Sequence, residues 1–320
     1  MRKISTSTQS DIKKAAKALL DGSLVAFPTE TVYGLGADAT NPEAVSRVYS
    51  VKGRPTDHPL IVHISSKELI NDWAIDIPSY AQKLAKIFWP GPMTLILRRS
   101  YLAKDFITGG QSTVGLRVPN QPVALNLLQQ FNKIGGLGIA APSANKFGRV
   151  SPTNSGAVVD EIGDDLGSKD IILNDGNCDI GIESTIIDCT GSAPLILRPG
   201  AITTLDLQLT FGTFSNYSGN SRLHKVSGQE KSHYAPTARI LMGGNAQEGE
   251  GLIALSTVAT PLGSIRLASP RNELEFAQVM YSAFRLADWS NISTIRVIPP
   301  QNGPLSEAII DRITKASFIP

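Results

Sequence analysis

Short apolar runs and amphipathic segments follow one another along the first two-thirds of the chain. Four segments place apolar residues at helical spacing, and Ser10 and Pro42 stand where two of these helices would begin. Eight apolar runs have the length of buried strands. The predicted helices cover residues 11–20, 42–49, 79–88 and 156–162, and the predicted strands cover 24–27, 60–64, 93–97, 114–118, 138–141, 171–173, 185–188 and 195–197. Because the two types mix without strict alternation, the pattern predicts an α/β domain on a mixed sheet.

The pattern changes twice in the last third of the chain. Residues 211–238 are polar and rich in glycine and serine, without helical or strand periodicity, which is typical of a linker. The segments predicted beyond it are strands at 239–242, 252–255, 264–267 and 295–298, and helices at 272–289 and 305–316. We therefore expect a large domain over residues 1–210, a linker, and a small α/β domain over residues 239–320.

The composition is that of a globular protein. Of the 320 residues, 42% are apolar and 18% are charged, which is enough to bury a sizeable core. No apolar run approaches the roughly 18 residues of a membrane-spanning helix, and the N-terminus lacks the apolar stretch of a secretory signal. Cys178, Cys189 and the four histidines show no disulfide or metal-binding spacing. We expect a cytoplasmic protein without a membrane partner and without metal ligands of its own.

One glycine-rich segment suggests a nucleotide cofactor. Residues 34–39 fit the dinucleotide fingerprint G-x-G-x-x-A, which places a pyrophosphate at a helix N-terminus. In that motif the turn follows its strand directly, yet residues 28–33 intervene here and the next helix begins only at Pro42. An NAD-dependent oxidoreductase is therefore an alternative that the context disfavours, and failure to bind NAD would dismiss it.

Two segments group polar side chains that suit an anion. Lys52 and Arg54 flank a glycine, and two cations at this spacing suit either a polyphosphate or a solvated loop. We expect both side chains to be accessible. Strand geometry turns Thr113 and Arg117 to one face, with Gly115 leaving a gap between them, so this face suits a carboxylate, a phosphate or only solvent.

A third segment combines small residues with a predicted helix start. Residues 140–145 allow a ligand to approach the backbone closely, and Ser151 with Pro152 is predicted to begin a helix whose free N–H groups favour an anion. The sequence contains no P-loop and no G-x-S-x-G motif. An enzyme built from these residues would have to act without an obvious nucleophile of its own.

In this order, the motifs resemble those of the YrdC family. The matching segments are 27–36 (FPTETVYGLG), 52–55 (KGRP), 59–63 (PLIVH), 89–94 (WPGPMT), 114–119 (VGLRVP), 141–145 (APSAN), 183–185 (EST) and 197–200 (LRPG). The linker, its segment 233–236 (HYAP) and the C-terminal α/β part resemble the longer, two-domain branch. The resemblance implies a YrdC-like twisted mixed sheet with helices and a small Rossmann-like C-terminal domain.

The same resemblance implies a reaction. Family members make L-threonylcarbamoyl-AMP from L-threonine, bicarbonate and ATP and release pyrophosphate, which begins the formation of N6-threonylcarbamoyladenosine in tRNA. A tRNA threonylcarbamoyl transferase complex would receive the product. The threonine amine captures carbon dioxide as a carbamate, so the substrate supplies the nucleophile. Mg²⁺ would be carried by the ATP phosphates.

The resemblance also implies a role for individual residues, with Lys52 and Arg54 as the catalytic cations. The threonine-binding set is Thr31, His63, Arg117, Ala141 and Ser184, and the ATP-binding set is Lys52, Arg54, His58, Thr113, Ser143, Asn145, Ser151, Arg198 and Tyr234. Two segments depart from the family pattern. His58 stands where the family often has asparagine, and residues 226–234 replace a Ser-Pro-Gly-Met run. By its position in a buried strand, His63 equally suits a core histidine.

The charge distribution bears on an alternative function, RNA binding without catalysis. Cationic loops at 52–54 and 146–149 suggest a module that binds tRNA or double-stranded RNA without catalysis, with an affinity that falls steeply with salt. Residues 1–210 carry 20 basic and 20 acidic side chains, so no strong direct nucleic-acid binding is expected. The surplus charge lies in the linker, where the charged residues at 211–239 are Arg222, Lys225, Glu230, Lys231 and Arg239. We interpret this segment as a lid over ATP that excludes water.

Overall fold

The computed structural model describes residues 4–212, 215–216, 225–228, 230 and 232–318. The first part of the chain forms a large mixed sheet. Its strands are β1 (Ile4–Ser5), β2 (Val25–Phe27), β3 (Gly34–Asp38), β4 (Ile61–His63), β5 (Met93–Arg98), β6 (Thr113–Arg117), β7 (Ile139–Ala140), β8 (Ile171–Leu173), β9 (Thr185–Asp188), β10 (Leu195–Arg198) and β11 (Ser215–Asn216). They lie in the order β1-β8-β2-β3-β7-β4-β6-β5-β9-β10-β11. The sheet contains parallel pairs such as β4 with β6 and antiparallel pairs such as β5 with β6, so the predicted mixed sheet is confirmed.

Helices cover this sheet and bury its apolar side chains. They are α1 (Gln9–Leu20), α2 (Pro42–Lys52), α3 (Ile70–Trp73), α4 (Ser79–Phe88), α5 (Asp105–Thr108), α6 (Pro122–Lys133), α7 (Ser155–Ile162) and α8 (Thr204–Phe211), with short 3₁₀ turns at Lys67–Leu69 and Gly163–Asp165. Helix α1 begins two residues earlier than predicted, because Thr8 and Asp11 form a capping box and Ser10 lies inside the helix. Helix α6 was not predicted, although Gln121 caps it and its apolar face is buried.

The glycine-rich segment 34–39 is a strand and not a phosphate-binding turn. Residues Gly34–Asp38 form β3, which is fully buried and pairs with β2 and β7. A Cβ atom on Gly36 would lie 2.6 Å from Ile139 Cγ2 and 2.8 Å from Phe27 Cε1. Glycine is therefore required here for close packing between strands, and the NAD-binding alternative loses the motif on which it depended.

The C-terminal part is a second sheet with two helices. Its elements are β12 (Arg239–Met242), β13 (Gly251–Ala254), β14 (Ile265–Ala268), α9 (Glu273–Trp289), β15 (Thr294–Ile298) and α10 (Ser306–Ala316). The strands lie in the order β12-β15-β13-β14 and all pair in parallel, as expected for a small Rossmann-like domain. Every element predicted here is present, with ends shifted by one residue at most.

The two sheets are joined by a shared apolar cluster. Val32, Val150 and Ile182 come from the N-terminal part, and they pack with Phe276, Tyr281 and other buried side chains of α9. The predicted linker contributes Tyr234 to the same cluster. Among the described residues, no helix is long and apolar enough to cross a membrane.

Candidate active site

A partly open cavity lies where the motifs of the N-terminal part meet the linker. Of the residues predicted from the resemblance, those that line it are Thr31, Lys52, Arg54, His63, Arg117, Ala141, Ser143, Asn145, Ser184, Arg198 and Tyr234. Its free volume is about 60 Å³, which holds roughly four water molecules. The sequence separation of these residues reaches 203 positions, from Thr31 to Tyr234, and the sheet brings them together.

Arg117 forms one end of the cavity. In the parallel pair β4 and β6 it lies beside His63, and its guanidinium group is 4% exposed. Arg117 Nη2 lies 2.8 Å from Glu30 Oε1, and Nη1 donates to Thr31 Oγ1 at 3.0 Å. The Ser184 hydroxyl at this end lies 2.9 Å from that of Thr94. A fixed, forked cation beside hydroxyl groups is suited to an amino-acid carboxylate.

His63 forms a neutral wall of this end. Burial lowers its pKa to about 3, and the positive charge of Arg117 lowers it further in the same direction. Its Nδ1 atom is buried and has no hydrogen-bond partner in the described part of the chain. The ring also packs edge-on against Phe27. The side chain therefore both belongs to the core and presents an unused polar atom beside the cavity.

Lys52 and Arg54 begin the opposite end, and both are buried, at 2% and 6% exposure, contrary to expectation. Lys52 ends α2, and Gly53 follows in the left-handed conformation with φ of 60°, which turns the chain back so that Arg54 also points inward. Lys52 Nζ donates to the carbonyl oxygens of Ser143 and Asn145. Burial lowers the pKa of Lys52, and the neighbouring Arg54 lowers it further.

Arg198 lies between the two ends, because it donates to the Ser184 hydroxyl at 3.2 Å and also contacts the linker. Its Nη1 donates to the Ser227 carbonyl oxygen at 2.8 Å, and Arg54 Nη2 donates to the Ser227 hydroxyl at 3.0 Å. One linker residue therefore supplies oxygen acceptors to two buried cations. Oxygen atoms at these positions are the kind of acceptor that a phosphate would offer.

The described charges of the linker do not line the cavity, and the role of the linker as a lid stays a prediction. Lys225 pairs with Asp57 at 2.5 Å, and Arg239 is exposed at the start of β12. Arg222 and Lys231 lie outside the described residues. The linker residues that line the cavity are uncharged or buried and neutral: Ser227, Gly228, His233 and Tyr234. Burial lowers the pKa of His233 to about 3.

Three predicted ATP ligands lie outside the cavity lining. Thr113 shares the face of Arg117, but four residues of strand separate their Cα atoms by roughly 13 Å, and Thr113 borders a neighbouring small cavity. Ser151 does not begin α7, because Asn154 caps that helix, and its hydroxyl instead donates to Glu183 at 2.7 Å. His58 Nδ1 lies 2.7 Å from Glu230 Oε1 in the linker.

Sequence reasoning missed two buried carboxylates at this site. Glu30 pairs with Arg117, and Glu183 lines the cavity and pairs with Arg312 of α10. Both stand inside motifs that were quoted from the sequence, and an acidic residue next to an apolar strand could have marked them as buried partners of a cation. No local pattern links Glu183 to Arg312, which follows 129 residues later.

The surface evidence for an RNA-binding module is also reduced. Lys52 and Arg54 are buried, so they cannot contact a phosphate backbone from outside. Lys146 pairs with Asp165 at 2.8 Å, and Arg149 lies 3.4 Å from Asp288. The cations that suggested this function are therefore either enclosed or neutralised by neighbouring carboxylates.

Comparisons with known proteins agree with a two-part α/β architecture. Residues 17–200 match the family model Sua5_yciO_yrdC, described as telomere recombination, and residues 202–317 match the model described as threonylcarbamoyl-AMP synthase, C-terminal domain. The chain belongs to the YrdC/Sua5 family, in its two-domain form.

Relatives over the full length carry one name. Proteins named threonylcarbamoyl-AMP synthase from Pyrococcus abyssi and Bacillus subtilis are each 35% identical to the chain. Each alignment covers 96% of this chain, and 94% and 92% of the respective relative. The crystal structure of P. abyssi Sua5 complexed with L-threonine has a TM-score of 0.88 at 33% identity, covering 97% of this chain and 95% of that one.

Proposed function

We propose that this protein synthesises L-threonylcarbamoyl-AMP from L-threonine, bicarbonate and ATP, with release of pyrophosphate. The observation that carries the proposal is one cavity that is lined by four cations, Arg117, Lys52, Arg54 and Arg198. The family relationship extends over both domains, and full-length relatives carry the corresponding name. The product is then consumed in the cytoplasm by a transferase complex that modifies tRNA.

Threonine is assigned to the Arg117 end. Its carboxylate would pair with the Arg117 guanidinium, and its side-chain hydroxyl would exchange hydrogen bonds with the hydroxyl groups of Thr31 and Ser184. The backbone of Ala141 and the neutral ring of His63 would complete this end. A site that hydrogen-bonds the hydroxyl and packs against the methyl group would prefer threonine to serine and glycine.

The triphosphate is assigned to the three cations, and the reaction needs no protein nucleophile. The threonine nitrogen bonds to the carbon of CO₂ derived from bicarbonate and loses a proton, which gives a carbamate. A carbamate oxygen then forms a bond to the α-phosphorus of ATP, and the bond from that phosphorus to the bridging oxygen breaks. Pyrophosphate leaves with the electron pair, and Lys52, Arg54 and Arg198 would offset its charge.

The residues at the nucleotide end suit a magnesium ion that arrives with ATP. In the described chain no group of three histidine, cysteine, aspartate or glutamate residues could hold a metal. The buried Oδ1 atom of Asn145 has no hydrogen-bond partner, while its Nδ2 donates to the carbonyl oxygens of Lys146 and Arg149. Such an oxygen suits a single protein ligand to Mg²⁺, with phosphate oxygens as the others. The bound ion would neutralise phosphate charge.

Linker opening would have to precede nucleotide binding. The free volume of about 60 Å³ is far below that of a nucleotide, and Ser227 occupies donors that the phosphates would need. The described linker residues that line the cavity, Ser227, Gly228, His233 and Tyr234, would therefore withdraw to admit ATP and close again over it, which would protect the carbamate from water. His58, Thr113 and Ser151 could reach the nucleotide only in such a rearranged state.

The proposal is tested by measuring pyrophosphate release with each substrate omitted in turn. The purified protein should release pyrophosphate from ATP only when L-threonine and bicarbonate are both present. Serine and glycine should support slower release than threonine. Pyrophosphate release that is independent of threonine would refute the proposed function.

A further inference from the structure

Glu183 is a buried carboxylate in the cavity wall, directly before Ser184, and the C-terminal domain supplies most of its partners. Tyr281 of α9 donates to its two oxygens at 3.2 and 3.0 Å, and Arg312 Nε of α10 donates to Oε2 at 2.7 Å. The Ser151 hydroxyl donates to Oε1 at 2.7 Å. Because these contacts use most of the acceptor capacity of the carboxylate, Glu183 is poorly placed to bind a substrate group itself.

The charge of Glu183 depends on Arg312. Burial alone would raise the pKa of Glu183, but the charges of Arg312 and Arg198 and the hydrogen bond from Ser151 outweigh it and lower the pKa to about 2. The Arg312 side chain is fully buried, and its Nη2 donates to the Pro199 carbonyl oxygen at 2.9 Å. Removing one partner of such a pair leaves an uncompensated buried charge, which is costly.

Glu183 is therefore influenced by two guanidinium groups, those of Arg312 and Arg198, which contact different partners. Arg198 donates through Nε and Nη2 to the Ser184 carbonyl oxygen at 3.2 and 2.8 Å, and through Nη2 to the Ser184 hydroxyl at 3.2 Å. With Arg312 in place, the carboxylate is neutralised from the C-terminal side and Arg198 can hold Ser184. Without Arg312, the unpaired carboxylate would attract Arg198 and disturb that arrangement.

Tyr281 and Arg312 of the C-terminal domain also contact the linker. The ring of Tyr234 stacks on Tyr281 at 5.9 Å between centroids and 27° between planes. The Arg312 guanidinium carbon lies 5.2 Å from the centroid of the Tyr234 ring. Arg312 and Tyr281 thus contact both the wall of the cavity and the linker tyrosine that closes it.

We propose that Arg312 and Tyr281 are positioning residues for the threonine end of the cavity, acting through Glu183 on Ser184 and Arg198. This inference rests on the proposed function for the identity of the substrate. It assigns the C-terminal domain a direct part in building the active site, through one ion pair and one phenol.

The test compares two buried arginines that join the same domains. Arg312→Met removes the partner of Glu183, whereas Arg285→Met removes a matched ion pair, Arg285 with Glu161 at 2.7 Å, which does not line the cavity. The full-length variants are assayed for threonine binding by calorimetry without ATP, for the KM of threonine and of ATP, and for thermal unfolding. The double variant R312M/E183Q also removes the negative charge of Glu183, which R312M leaves without its arginine partner.

We expect R312M to weaken threonine binding and raise the KM for threonine roughly tenfold through misplacement of Ser184. The added E183Q substitution should recover most of that loss. R285M should lower the unfolding temperature and leave threonine affinity unchanged. In R312M the pKa of Glu183 should rise, because Arg312 no longer lowers it, so kcat/KM for threonine should fall with the ionisation of Glu183 at a higher pH than in the parent.

Two results would overturn the inference: equal threonine affinity in R312M and the parent, or equal losses in R312M and R285M. If R312M does not fold, Tyr281→Phe decides, because it removes one hydrogen bond to Glu183 and keeps the ring. It should weaken threonine binding about two- to fivefold, and an unchanged affinity would contradict the inference. If the parent protein released no pyrophosphate, the proposed function would be refuted instead. Calorimetric threonine binding does not depend on turnover, so it tests the positioning role separately.

Discussion

The two ends of the cavity differ in what satisfies their buried cations. At the Arg117 end, the guanidinium group is neutralised by Glu30 and hydrogen-bonded to Thr31, on strands and turns of the main sheet. At the other end, Lys52 donates to the carbonyl oxygens of Ser143 and Asn145, and Arg54 donates to the Ser227 hydroxyl of the linker. The first end is organised by the fold, whereas the second is occupied by oxygens of the chain itself.

This difference indicates how a sheet protein can bind two very unlike substrates in one cavity. A small amino acid can bind to groups that are already oriented, which limits the entropy lost on binding. A nucleotide needs space and free donors, so the part of the cavity that receives it must rearrange. We therefore expect substitutions at one end to change the kinetic constants for threonine, and substitutions at the other end to change those for ATP.

The largest effect is expected at the phosphate end. Arg54→Met removes a buried cation and should lower kcat/KM for ATP by roughly 100- to 1000-fold, because it removes stabilisation of charge that develops on pyrophosphate. Steady-state pyrophosphate release measures the loss, and circular dichroism checks the fold. Lys146→Met is the matched control, because Lys146 is nearby but pairs with Asp165 at the surface. A loss below tenfold in R54M would contradict the assigned role.

The next largest effect is expected at the threonine end. Arg117→Lys keeps the charge but loses the forked geometry that contacts Glu30 and Thr31, so the KM for threonine should rise about ten- to a hundredfold. The KM for ATP should change little. Arg98→Lys, which alters an exposed pair with Asp76, is the control. Equal increases in both KM values would mean that the two ends are not independent.

A smaller effect of opposite sign is expected in the linker. Ser227→Ala removes the hydroxyl acceptor of Arg54, so the closed state loses about one hydrogen bond and the KM for ATP should fall up to about fivefold. Threonine affinity should not change. A rise in the KM for ATP would show instead that Ser227 contacts the nucleotide and does not compete with it.

The sequence predicts many of the strands and many of the residues that line the cavity, but not all elements equally well. The strands β8, β9 and β12 were predicted with their observed ends, because short β-rich apolar runs carry a local signal. Segment 34–38 was not predicted as a strand, because its glycines obscure the local signal and only the contact with Ile139 reveals why Gly36 is needed. Eleven of the predicted binding residues line the cavity, and their roles stay predictions.

What could not be predicted depends on contacts between distant segments. The burial of Lys52 and Arg54 follows from the left-handed turn at Gly53 and from the linker that covers them. Arg312 and Tyr281 look like ordinary helix residues in the sequence, and only the packing of the two domains brings them to Glu183. Local patterns predict elements, but they carry no information on which buried charge meets which partner.

The smallest expected effect concerns stability and pH. Burial lowers the pKa of His63 and of His233 to about 3, well below the usual histidine value of about 6.5. The unfolded chain therefore binds protons that the folded chain does not, and stability should fall as the pH drops below about 6.5. Each histidine contributes a slope of up to about 1.4 kcal/mol per pH unit. Denaturant unfolding between pH 7 and 5 measures this slope, and His63→Gln should reduce it; an unchanged slope in that variant would contradict the account.

The most direct test of the comparison is calorimetric titration of the full-length protein with L-threonine in the absence of nucleotide. Because the Arg117 end is already formed by the sheet, threonine should bind saturably with one molecule per chain, and the S227A variant should bind it with the same affinity. If threonine bound only after ATP or a non-hydrolysable analogue was added, the claim that this end is organised before the nucleotide arrives would be wrong.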